Sequence, residues 1–130
     1  MATYPNAVLT ARANSTVDLI DAGSTNPGGA VLIYTSGFAT LLVQFDLSKP
    51  AYDAAANGVA QLRNTPITAT AVAGGTAADY RVVDRDGNIV WSGSGQVGTS
   101  GTELVISSTT IVNGNDYELA SLTHNETQGA

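Results

Sequence analysis

Cysteine is absent from the 130 residues, which removes disulfide frameworks, thiolate metal sites and cysteine nucleophiles together. Histidine occurs once, at His124, so a Ser-His arrangement or a multi-imidazole metal site has almost nothing to draw on. Basic residues are scarce: five Lys and Arg stand against eleven Asp and Glu, for a net charge of -6. Neutralising phosphates takes a basic cluster, and the chain has none, so no direct contact with nucleic acid is expected. The same sign of charge disfavours an anionic membrane surface. No apolar run approaches a transmembrane span, and residues 1–10 carry neither a basic n-region nor a continuous apolar stretch. Synthesis in the cytoplasm without a secretion signal is the expectation that follows.

Charge of either sign is thin, at 12% of residues against a 43% hydrophobic share. The surface is therefore covered largely by Thr, Ser, Asn and Gly. Such a surface is cheap to desolvate, since no strongly hydrated ammonium or carboxylate is stripped when a partner lies against it. The length suits one core, and contact with neighbours is its expected mode of action.

The pattern along the chain is that of an all-β domain. Pro5 biases Tyr4 toward extended geometry, and residues 1–6 read as an irregular N-terminal arm. Residues 7–12 and 16–22 read as two short strands with a bend at Asn14 and Ser15, and 23–29 as a loop. Residues 30–35 and 39–47 are the clearest early strands, turned by Ser36, Gly37 and Phe38. A turn of helix is expected near 51–57, where Ala51, Ala54, Ala55 and Ala56 favour it and Gly58 would end it. Strands follow at 67–72, 78–83, 89–92, 103–107 and 116–123. Asp86-Gly87 suggests a type I′ hairpin, which would set Val82 opposite Trp91 and Tyr80 opposite Gly93. In the last strand Tyr117, Leu119 and Ser121 would face one way and Leu122 the other. About eight short antiparallel strands joined by Gly, Asn and Asp turns predict a β-sandwich or jelly-roll-like single domain over 7–123, with 124–130 as a polar tail.

Motifs that could carry chemistry are weak. His124 falls in the expected tail, away from any partner base or orienting group. Asp84, Asp86, Glu103, Asp116 and Glu118 could pair as carboxylates, but one Trp, five Tyr and two Phe leave few aromatics to line a sugar cleft. Asp84-Arg85-Asp86-Gly87-Asn88 has the alternating carboxylates of a calcium loop without its closing Glu, so a plain hairpin is the better reading. Gly93-Ser94-Gly95-Gln96-Val97-Gly98 fits a dinucleotide-binding string outside its strand-turn-helix setting. No enzyme activity, metal or cofactor is expected. Ala2, Thr3, Tyr4, Pro5 and Asn6 of the arm, with Tyr34, are the expected interface residues.

The second half resembles a family of small bacteriophage virion proteins of the head-decoration, or capsid cement, type. The resemblance lies in Gly75-Thr76-Ala77-Ala78-Asp79-Tyr80-Arg81-Val82-Val83-Asp84, the Asp86-Gly87 turn, Ile89-Val90-Trp91-Ser92-Gly93 and Gly98-Thr99-Ser100-Gly101. It continues through Leu104-Val105-Ile106-Ser107-Ser108-Thr109-Thr110-Ile111-Val112-Asn113-Gly114, with a looser match at Pro50-Ala51-Tyr52-Asp53 and Asn57-Gly58. These are turn glycines and core positions without chemistry, so they speak for virion structure more than for a place in the virion. The resemblance implies a protein on the capsid surface that binds the major capsid protein lattice and stabilises the head, as a homo-oligomer with a trimer favoured. The alternative is a tail or fibre module that recognises a host-surface glycan. Residues 1–49 lie outside the resemblance and are expected to hold the docking element.

Overall fold

Leu9, Ala13 and Val17 recur every fourth residue, and the computed structural model, which describes residues 5–56 and 58–125, buries all three on one face of a helix, α1 (Asn6–Asp18). A 3-10 turn, Leu19–Asp21, continues it and buries Ile20. The two strands expected at 7–12 and 16–22 are thus one helix, and Asn14 and Ser15 lie inside it rather than at a bend. The expected arm does not extend through Pro5 and Asn6. The carbonyl of Pro5 accepts from the amides of Val8 and Leu9 as the helix begins, and Asn6 is its first residue. The helical spacing is easily overlooked because Ala7, Val8 and Ala11 are apolar and exposed, which blurs the contrast between faces.

The rest is β. In chain order the strands are β1 (Ala30–Tyr34), β2 (Leu41–Asp46), β3 (Val59–Gln61), β4 (Ile67–Thr70), β5 (Gly75–Thr76), β6 (Asp79–Val83), β7 (Ile89–Gly93), β8 (Val97–Gly98), β9 (Leu104–Ile106), β10 (Thr110–Ile111) and β11 (Asp116–Asn125). Four form an antiparallel sheet in the order β2-β1-β6-β7. A second sheet runs β3-β11-β9-β8, with β4 also pairing to β11, and β5 and β10 make a small ladder of their own. The amide of Val72 donates to the carbonyl of Leu42 at 2.8 Å, which ties the chain after β4 to β2 of the first sheet. Val31, Ile33, Val43, Phe45, Tyr80 and Val82 from one sheet meet Leu104, Ile106, Tyr117, Leu119 and Leu122 from the other in a single buried core. The domain is a small β-sandwich with one short helix.

That helix is not at 51–57. Tyr52 bridges Leu62, Ala56 bridges Val59, and the backbone donors that a helix would use are taken elsewhere. The amides of Ala51, Ala55 and Gly58 donate to Asp21 Oδ1, Asn14 Oδ1 and Thr10 Oγ1, so side chains of α1 and the turn after it hold this segment extended. Alanine propensity loses to tertiary hydrogen bonds. The last strand departs from simple alternation too. Its register slips between Leu119 and Ser121, and this bulge returns Leu122 to the core side beside Leu119. β11 also runs on through His124, which belongs to the sheet and not to a tail.

Candidate interaction surface

The outer face of the four-stranded sheet brings together Tyr34 and Arg81, with Phe38 of the adjoining turn. In β1, Val31 and Ile33 point inward, leaving Leu32 and Tyr34 on the other face. Register places Arg81 of β6 beside Leu32 and Asp79 beside Tyr34. After Tyr34 the chain turns through Ser36–Phe38, where Gly37 and Phe38 have φ of 75° and 56°. Glycine adopts this left-handed geometry freely; phenylalanine is strained in it.

Asp79 holds that strain. It is 2% exposed, and its Oδ2 accepts from the amides of Gly37 at 2.7 Å and Phe38 at 3.3 Å, while Oδ1 accepts from Gly95 at 2.8 Å. One carboxylate therefore binds the turn after β1 to the turn after β7. The hydrogen bond from Gly95, then those from Gly37, Phe38 and Ser94, keep it below the usual carboxylate range against the opposing effect of burial.

With the turn fixed, Phe38 lies edge-on to Tyr34, ring centroids 5.7 Å apart. The guanidinium of Arg81 sits over both rings, 4.4 Å from the Phe38 centroid and 5.1 Å from that of Tyr34. Its Nε is shielded from solvent, and no described residue accepts a hydrogen bond from it. Further along the same face, toward the 84–88 hairpin, is a cleft of about 390 Å³ lined by Asn26, Leu32, Gln44, Asp46, Val83 and Asp84 among others. Gln44 donates to Asp46 Oδ1 at its wall.

The hairpin tip that bounds this cleft is tightly closed. Val82 faces Trp91 and Tyr80 faces Gly93, the register the sequence predicts. The turn itself is not type I′, because among its residues only Gly87 has positive φ. It is a longer loop in which the amide of Gly87 donates to the carbonyl of Asp84 and that of Asp84 to the carbonyl of Asn88. The carboxylates that suggested a calcium loop serve the backbone: Asp84 Oδ1 accepts from Asp86 and Asn88, and Asp86 Oδ1 from Ser24 and Thr25. Among the described residues no group of three or more His, Cys, Asp or Glu is placed to hold a metal.

Of the expected interface residues, Tyr34 stands in this surface. Ala2, Thr3 and Tyr4 lie outside the described residues. Pro5 and Asn6 are not brought to Tyr34, since they begin a helix packed on β3 and β11 of the other sheet. Phe38 and Arg81 were missed by sequence reasoning. Phe38 sits in a turn, and the alternation of β6 pointed only to its inward face, Tyr80 and Val82. His124 packs against Trp91 with ring centroids 4.8 Å apart. Gly95 of the glycine-rich string serves as a donor to Asp79.

No family model, curated protein or solved structure matches this chain.

Proposed function

We propose that this chain is a non-enzymatic structural protein of a bacteriophage virion, of the capsid-decoration type, which binds the major capsid protein lattice and stabilises the head. The single observation that carries a binding role is the Tyr34, Phe38 and Arg81 cluster on an open sheet face. Tyr and Arg are, with Trp, the residue types enriched at binding hot spots, where they bury much area and make directional contacts. Here a buried carboxylate and a strained turn preorganise them, which lowers the ordering cost of association. The virion assignment rests on the resemblance of residues 75–114, and a trimer would match threefold positions of a shell.

Co-sedimentation of the chain with particles of the source phage, followed by cryo-electron microscopy, tests this. The expected outcome is density over capsomer junctions with the β2-β1-β6-β7 face against the shell, and reduced occupancy for Tyr34→Ala and Phe38→Ala. Density confined to the tail would overturn the cement reading.

The cleft favours a second reading, a tail or fibre module for a host glycan. Asn26, Gln44, Asp46 and Asp84 offer the amide and carboxylate groups that sugar hydroxyls bind, over a floor of Leu32 and Val83. Binding of the isolated chain to host-surface glycans, lost in Gln44→Ala, would support it.

A further inference from the structure

We propose that Arg81 is a receptor for one carboxylate of the partner, an Asp or Glu side chain of the protein on which this domain docks; this rests on the binding role assigned above to the same face. Among the described residues, the partners of the Arg81 guanidinium are two ring faces. Aromatic faces attract the guanidinium but satisfy none of its N–H groups, which lie at its edge. The carboxylate best placed to serve it, Asp79 two residues away on the same strand, is turned into the fold, where amides of Gly37, Phe38 and Gly95 consume both its oxygens. Two other arginines are used at home: Arg63 pairs with Asp53 at 3.2 Å, and Arg85 donates to the carbonyl of Asn26 at 2.6 Å. Arg81 thus combines a half-buried guanidinium, with no hydrogen-bond acceptor among the described residues, and a plane set by two rings, on a chain whose net charge is -6; its Nε is shielded, so an incoming carboxylate meets the Nη1–Nη2 edge.

A guanidinium oriented on aromatic faces presents its fork in one plane, the geometry that a carboxylate meets with two parallel hydrogen bonds. The surrounding negative charge repels polyanions such as nucleic acid or an anionic bilayer, whereas a single carboxylate on a protein surface meets only the local positive site. Leu32, Tyr34 and Phe38 around the guanidinium would exclude water from the pair and strengthen it.

The test has two arms. In the first, the full chain labelled with ¹⁵N is titrated with the peptide acetyl-Gly-Glu-Gly-amide, its Gln counterpart and inorganic phosphate, following the Arg81 Nε–H signal and the amides of Tyr34 and Phe38. Saturable shifts are expected with the Glu peptide, roughly ten-fold or more weaker with the Gln peptide, and absent from Tyr34 and Phe38 in Arg81→Gln. Equal shifts with Gln or phosphate, or none with Glu, would overturn the proposal. In the second arm, wild type, Arg81→Gln and Arg81→Lys, each with its melting temperature checked, are sedimented with phage particles. Arg81→Gln should lose roughly ten-fold or more in affinity, and Arg81→Lys, which keeps the charge but not the fork, should fall between. A positive first arm without particle binding leaves the carboxylate site standing and removes the virion reading. A wild-type dimer abolished by Arg81→Gln would make a second copy of this chain the partner and overturn the lattice assignment.

Discussion

Asp79 shows how much one side chain can organise. Its hydrogen bonds exist only in the folded chain, so its carboxyl holds a proton less readily there than when unfolded, where the ordinary value is 3.8. A depressed folded-state value contributes stability that is complete above the unfolded range and is lost as pH falls through that range toward the folded value. Asp79→Asn should therefore lower the melting temperature at neutral pH and flatten its decline between about pH 5 and about pH 3, which thermal melts across that interval would measure. Tyr52 is the opposite case. Its ring packs 6.1 Å from Trp91, but its hydroxyl is buried without a partner among the described residues, and burial pushes its ionisation up. Removing a desolvated hydroxyl that makes no hydrogen bond leaves nothing unpaired, so Tyr52→Phe should be neutral or stabilising by up to about 1 kcal/mol in urea melts. Tyr80 differs again: its hydroxyl donates to Glu103 and accepts from Trp91 Nε1, and no such gain is expected there.

At the scale of elements, the β6-β7 hairpin separates two uses of glycine. Gly87 has φ of 85° and open space where a side chain would go, so Gly87→Val should cost about 1–2 kcal/mol, all of it backbone. Gly93 needs no unusual φ, yet a methyl group there would collide with the Tyr80 ring. Gly93→Ala should cost about 1–3 kcal/mol through overpacking and should quench differently at Trp91, as fluorescence-monitored urea melts would show. The hairpin register was legible because Asp86-Gly87 punctuates two β-branched runs. Helix α1 was legible only in Leu9, Ala13 and Val17, and was masked by apolar residues on its exposed face. The segment after Pro50 misled in the other direction, since its alanines favour a helix whose donors are already taken by Thr10, Asn14 and Asp21.

For the whole molecule, the two sheets share one core, with Phe45, Tyr80 and Val82 packed in the same cluster as Leu104, Leu119 and Leu122. Neither sheet has an apolar layer of its own to retain when the other melts. Leu119→Ala, at a position with no solvent exposure, should lower stability by about 2–5 kcal/mol and move both sheets in one transition. Coincident loss of Trp91 fluorescence, from the first sheet, and of far-ultraviolet dichroism would confirm it; separated midpoints would refute it. The sparse charge and the Tyr34–Phe38–Arg81 surface meet at this scale, on one domain that presents a preorganised face.

Composition and periodicity alone determined that this is a cysteine-free β domain, with strands at β1, β2, β6, β7, β9 and β11 and Tyr34 on the outer face of the first of them, because alternation and turn residues are local signals. Tertiary structure decided the rest. Whether 6–18 curls or extends depends on what its buried stripe meets, and the bulge that restores Leu122 to the core depends on the pairing of β11 with β9. The Arg81 site depends on a carboxylate at 79 being claimed by amides at 37, 38 and 95, far apart in sequence and adjacent only once the sheet has formed.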